Sequence, residues 1–164
     1  MNKHVISILV ENHAGVLSRV TGLFSRRSYN IDSLSVGITE NPSFSRITIV
    51  AMGDDNVIDQ IKKQVMKLVD VKKVSALDPE YSVFRELALV KVAASSANRP
   101  EIIGLVNVFR ANVIDVSGET LTIEITGEKS KISAFLELLE PYGVLELART
   151  GLTALERGSK KITD

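Results

Sequence analysis

The chain of 164 residues has no cysteine, no tryptophan, two histidines and no excess of either charge, with 20 basic side chains against 20 acidic ones. Each shortage removes a class of function. Without thiols there is no disulfide, no thiolate nucleophile and no cysteine-type zinc site. With only His4 and His13 present, histidine-based metal or acid–base chemistry is poorly supplied. A formal net charge of zero argues against bulk nucleic-acid binding, which needs a positive field to neutralise phosphates. Long hydrophobic runs are missing too. The stretch from Val5 to Val10 is broken by Ser7 and followed by Glu11, which is no secretory signal. Nothing approaches the roughly 20 apolar residues of a membrane span. These absences favour a soluble, intracellular, non-catalytic protein that binds neither nucleic acid nor membrane.

What is present is apolar mass: 45% of the residues are hydrophobic and 24% charged, enough for one ordinary domain or two small ones. The first half alternates strand and helix patterns. Residues 4–10 are rich in β-branched side chains and end in the polar loop Glu11-Asn12-His13-Ala14-Gly15. Val16, Leu17, Val20, Leu23 and Phe24 then recur on one face of a helix over 16–27. Strands are predicted over 29–38 and 44–52, separated by the turn Asn41-Pro42-Ser43. Asp54 and Asp55 suit a helix N-terminus better than catalysis, and Val57, Ile58, Ile61, Val65 and Leu68 form the face that follows. A strand over 69–77 completes a βαββαβ unit. After the linker 78–82, the second half repeats this order, with strands over 83–94, 112–116, 121–126 and 144–150 and helices over 100–110 and 129–139. Leu23-Phe24 before Asn30-Ile31-Asp32 is echoed by Val108-Phe109 before Asn112-Val113-Ile114-Asp115.

The expected fold class is therefore α+β, two ferredoxin-like βαββαβ sandwiches. The expected domains are 1–77, the linker 78–82, a C-terminal domain over 83–155 and a polar tail over 156–164. One sheet face in each unit is left for another unit or chain to bury. An RNA-binding sheet is disfavoured by the scarcity of strand aromatics, and a metal carrier by the lack of paired cysteines. His4 reads as an ordinary strand-edge residue. No serine has a histidine or lysine at a spacing that suggests activation, so no catalytic residue and no metal ligand is assigned.

The loop from Asn12 to Leu17 is different, because it runs from a strand into a helix whose first amides favour an anion. Gly15 would let a carboxylate approach the backbone, Asn12 supplies an amide, and the amide oxygen of Asn30 could accept from an α-ammonium group. Val16, Leu17 and Ile31 add apolar surface. The set suits a small zwitterion with an aliphatic side chain; the alternative is a tight turn with Asn12 as a cap.

Asn12-His13-Ala14-Gly15-Val16-Leu17, Gly22-Leu23-Phe24-Ser25-Arg26-Arg27 and Tyr29-Asn30-Ile31-Asp32-Ser33-Leu34 resemble the ACT domain of the small regulatory subunit of acetolactate synthase, also called acetohydroxyacid synthase. Ser45 to Val50, Leu68 to Val71, Arg85 to Val92, Ala148 to Gly151 and Glu156 to Gly158 continue the likeness. The resemblance implies a cytoplasmic regulator of branched-chain amino-acid synthesis that is not itself an enzyme. It implies a large catalytic partner carrying thiamine diphosphate, Mg²⁺ and FAD, with no cofactor in this chain. It also implies activation of that partner, feedback inhibition by valine or another branched-chain amino acid, and a homodimer through the ACT domains. The effector site would join Asn12, Ala14, Gly15, Val16 and Leu17 of one chain to Asn30 and Ile31 of the other. Two departures stand out: Ala14 replaces a frequent proline, and Ser28 a frequent glycine. The equivalent loop of the second half, Ser95 to Arg99, has no glycine and is expected to lack an effector site. The alternative is a free-standing ACT-type amino-acid sensor acting on another target.

Overall fold

The computed structural model describes residues 2–164, which divide into two compact units: residues 2–84 with Gly151–Asp164, and Arg85–Thr150. In the first unit β1 (Asn2–Glu11), α1 (Val16–Arg26), β2 (Ile31–Ile38), β3 (Phe44–Gly53), α2 (Asp55–Val65) and β4 (Val71–Leu77) follow in order. The sheet is antiparallel with strand order β2-β3-β1-β4, the expected ferredoxin-like arrangement. Period-2 alternation sends Ile6, Ile8, Val10, Ile47, Ile49 and Ala51 to one face, where they meet Val16, Val20, Leu23 and Phe24 of α1 and Ile58, Ile61 and Val65 of α2. Asp54 caps α2 as expected, its Oδ1 accepting from Val57 N at 3.0 Å.

β1 is buried on both sides from Val5 to Val10, which explains its lack of a polar alternation. Its second face is covered by the chain's own C-terminal segment. β9 (Thr153–Glu156) pairs with β5 (Ser82–Ala93), and Leu152 and Ala154 pack with Val5, Val50, Leu77 and Phe84. The expected boundary at residue 155 therefore moves: residues 151–155 belong with the first unit. So does the expected polar tail, where Arg157 N donates to Tyr81 O at 2.7 Å and Ile162 is buried. Composition misled there, since one buried isoleucine is enough to anchor a polar stretch. The expected linker forms a 3₁₀ turn at Pro79–Tyr81, capped by Asp78. His4 also differs from its reading: it lies on an interior strand opposite Ala51, with Nε2 3.9 Å from Asp55 Oδ1.

The second unit repeats the plan with the body of β5, α3 (Arg99–Val108), β6 (Asn112–Val116), β7 (Thr120–Gly127), α4 (Lys129–Leu139) and β8 (Val144–Arg149), in sheet order β6-β7-β5-β8. Val90, Val92, Leu121, Ile123 and Ile125 form a core with Ile102, Val106, Ile132, Phe135 and Leu139. The repeat extends to irregularities. Register shifts fall between Leu9 and Val10 and between Lys91 and Val92, and again between Ile31 and Ser33 and between Val113 and Asp115. Both first helices end alike: Ser28 has φ 57° and Arg110 φ 54°, Tyr29 N donates to Phe24 O at 2.9 Å, and Ala111 N donates to Val106 O at 2.9 Å. These are left-handed C-terminal caps held by residues other than glycine. Among the described residues, no helix is long and apolar enough to cross a membrane.

Two stability outcomes follow from this geometry. A left-handed conformation costs an L-residue roughly 1–2 kcal/mol, so Ser28→Gly is expected to raise stability by about 1 kcal/mol in urea unfolding. A Cβ on Gly151 would overlap the backbone carbonyl oxygen of Leu34 and lie 2.5 Å from its carbon. Gly151→Ala is expected to cost about 1–3 kcal/mol on the same assay, because the backbone must shift to admit the methyl group.

Candidate functional site

The loop that leaves β1 is shaped by Gly15. It precedes α1 with φ 88° and ψ −13°, a left-handed conformation that a Cβ would strain, and its carbonyl accepts from Arg19 N at 3.1 Å. No side chain caps the first turn of α1, so its leading amides stay available. Asn12 is not that cap. Its Nδ2 donates to Pro42 O at 2.9 Å and its backbone N to Ser43 O at 2.9 Å, which ties the loop to the β2–β3 turn. Ala14 is exposed and turns its carbonyl to His13, Val16 is buried in the core, and Leu17 is 41% exposed. The space beside the Gly15 Cα is not empty, because a Cβ there would meet Arg19 Nη1 at 3.2 Å.

Asn30 and Ile31 stand elsewhere. Ile31 opens β2 opposite Ala51, at the far end of β3 from Phe44, which pairs with Glu11 just before the loop. Seven residue steps along β3 part Phe44 from Ala51, about 23 Å at ~3.3 Å per residue. One chain therefore gathers residues 12–17 at one end of the sheet and holds Asn30 and Ile31 at the other. β2, which Asn30 precedes and Ile31 opens, is an edge strand whose Val36 and Ile38 are exposed.

Behind the loop lies an ion network that pattern reading missed. The Asp70 side chain is 7% exposed, with Oδ2 accepting from Arg19 Nε at 2.6 Å and Oδ1 2.9 Å from His13 Nε2. His13 Nε2 is also 3.2 Å from Glu11 Oε2, and Glu11 Oε1 is paired with Lys72. The imidazole Nδ1 faces Ala14 O at 3.2 Å, so both ring nitrogens meet acceptors and the doubly protonated ring is favoured. The Ala14 carbonyl, then Glu11 and Asp70, raise the His13 pKa above 6.5 against the opposing effect of burial. Arg19 holds Asp70 below 3.8, and Lys72 with His13 holds Glu11 below 4.5. Glu11, His13 and Asp70 present donor atoms within 4.8 Å of one another. To hold a divalent cation they would need a neutral His13 and would have to release Arg19 and Lys72. The signal in the sequence was an acid at either end of the β1 and β4 junction, and only tertiary structure joins them. The corresponding loop of the second unit is filled by its own side chain: Arg99 Nη2 donates to the carbonyls of Ala94, Ser117 and Gly118 at 2.9, 2.6 and 3.1 Å.

The network has a defined pH window. His13 contributes stability that is complete below 6.5 and lost as pH rises through its raised folded value. Glu11 and Asp70 contribute stability present above 4.5 and 3.8 and lost as pH falls through their lowered values. Proton NMR titration of His13 is expected to give a midpoint above 6.5, moving downward in Asp70→Asn. A midpoint unchanged by that substitution would show that the carboxylate does not hold the imidazolium.

Comparison with known proteins agrees with this architecture. A family model described as an AHAS small subunit-like ACT domain matches residues 6–73, and one for the small subunit of acetolactate synthase matches residues 85–158. A probable acetolactate synthase small subunit of Methanothermobacter thermautotrophicus is 54% identical over 96% of this chain and 94% of its own length. The acetolactate synthase small subunit of Bacillus subtilis is 47% identical over 97% of this chain and 93% of its own. The crystal structure of the acetolactate synthase small subunit of Thermotoga maritima superposes with a TM-score of 0.92 at 47% identity, covering 98% of this chain and all of that one. With both units matched and relatives aligned nearly end to end, the chain belongs to the family of acetolactate synthase small subunits, and its first unit is an ACT domain.

Proposed function

We propose that this chain is the regulatory subunit of acetolactate synthase in branched-chain amino-acid biosynthesis. It raises the activity of a large catalytic subunit, which carries the thiamine diphosphate, Mg²⁺ and FAD, and it confers feedback inhibition by valine or another branched-chain amino acid. The catalysis belongs to the partner and the sensing to this chain. The end-to-end similarity to acetolactate synthase small subunits carries the reading.

The effector site lies between two copies. Asn12, Ala14, Gly15, Val16 and Leu17 of one meet Asn30 and Ile31 of the other. The separation of these two groups along β3 within one chain supports this division. Pairing two β2 edges antiparallel about a two-fold axis sets the start of one β2 beside the end of the other. Since Ile38 pairs with Ser45 near the loop, this brings the partner's Asn30 to the end where residues 12–17 lie. Such pairing also covers the open backbone groups of β2. Effector bound across this junction favours one arrangement of the pair, and the catalytic subunit prefers another. The inhibition then equals the differential affinity, with couplings of ~1–3 kcal/mol typical.

The test is reconstitution. Mixed with its catalytic subunit, the chain is expected to raise acetolactate formation, and valine is expected to reverse the gain. Gly15→Asp places a side chain and a like charge where the effector carboxylate sits, so valine inhibition is expected to vanish while stimulation persists. A fully valine-sensitive Gly15→Asp protein would overturn the site. Absence of stimulation despite measurable valine binding would favour a free-standing amino-acid sensor.

A further inference from the structure

We propose that Arg19 is the residue that anchors the effector's carboxylate, an assignment that rests on the site described under the proposed function and adds its charge partner. Three observations meet at this side chain. Its Nη1 would lie 3.2 Å from a Cβ on Gly15, and its Cζ 3.8 Å, so the guanidinium sits beside the glycine at the centre of the loop. Its Nε is committed to Asp70 Oδ2 at 2.6 Å, the one hydrogen bond its side chain makes among the described residues. The side chain is 46% exposed, which leaves its terminal nitrogens accessible.

A guanidinium offers five N–H donors in a planar fork. Asp70 takes the one on Nε and fixes the plane by that edge. The four on the two terminal nitrogens remain, in the geometry that receives a carboxylate through paired hydrogen bonds. Because Asp70 is buried and tied to the start of β4, the guanidinium is held in place before any ligand arrives, which lowers the ordering cost of binding.

Charge points the same way. Arg19, Lys72 and protonated His13 are three cations set against the two carboxylates of Glu11 and Asp70. While the His13 ring is protonated, one positive charge is left over beside the loop, and a carboxylate is the anion that a zwitterionic amino acid supplies. Gly15 acquires a second role in this arrangement: a side chain there would press on the guanidinium as well as strain the backbone.

The experiment separates the carboxylate from the rest of the ligand. L-valine and L-valinamide, which lacks the anionic oxygen, are titrated calorimetrically into the full chain, into Arg19→Gln and into Arg19→Lys. The wild-type protein is expected to prefer valine. Arg19→Gln is expected to weaken valine at least tenfold while changing valinamide less than twofold, and Arg19→Lys to recover part of the loss. Equal weakening of both ligands would make Arg19 a support of the loop only and would overturn the proposal. So would undiminished valine binding in Arg19→Gln when Gly15→Asp abolishes it, although the site itself would then stand. Undiminished valine binding in both variants would instead remove the site. Should Arg19→Gln fail to fold, the valine-to-valinamide ratio in Arg19→Lys carries the same reading.

Discussion

Asp70 keeps its negative charge where water reaches little of it, and the first unit is organised around the cost of doing so. A buried carboxylate must be met by donors. Here they come from two elements that sequence separates by half a domain: Arg19 in the first helix and His13 in the loop before it. Its backbone carbonyl also accepts from Glu11 N at 2.9 Å. One residue at the start of β4 therefore fixes the end of β1, the loop and the first turn of α1. The placement of the Arg19 guanidinium beside Gly15 depends on that anchor.

The same economy appears in how the unit divides its work. The helix-covered face of the sheet supplies stability, with Ile6, Ile8, Ile47, Ile49 and Phe24 fully enclosed. The edge of the sheet and the loop at one end are left polar or half-covered, and recognition belongs there. A single chain does not bring residues 12–17 and Asn30 together, because β3 holds them at opposite ends of the sheet. Under the proposed reading, sensitivity to a ligand is a property of a pair of chains, and the ligand reports on how that pair is arranged.

Much of this was legible in the residues. The alternation in β3 and the helical faces of α1 and α2 follow directly from periodicity, and the Asp54 cap from its position. The repeat was visible as an echo around Asn30 and Asn112, and the structure extends it to matched strand irregularities and matched left-handed caps. Residues 12–15 form a loop between β1 and α1, and Val16 and Leu17 open the helix. Three things were not legible. The role of Asp70 depends on contacts 51 and 57 positions away, which no local pattern encodes. The buried side of Leu152 and Ala154 lay in a segment too short and too mixed to announce a strand. The distance between Asn30 and the loop arises from strand pairing, so spacing along the chain concealed it.

That C-terminal segment gives the chain an order of assembly. The second unit is inserted between two parts of the first, since residues 2–84 and Gly151–Asp164 flank Arg85–Thr150. Synthesis from the N-terminus therefore delivers β1 and β3 long before the strand that covers Val5 and Val50. Until Leu152 and Ala154 have left the ribosome, that apolar face lacks the cover these residues supply. Completion of the first unit is tied to residues that follow the second, so a product ended before residue 151 would present a bare apolar surface in place of a covered one.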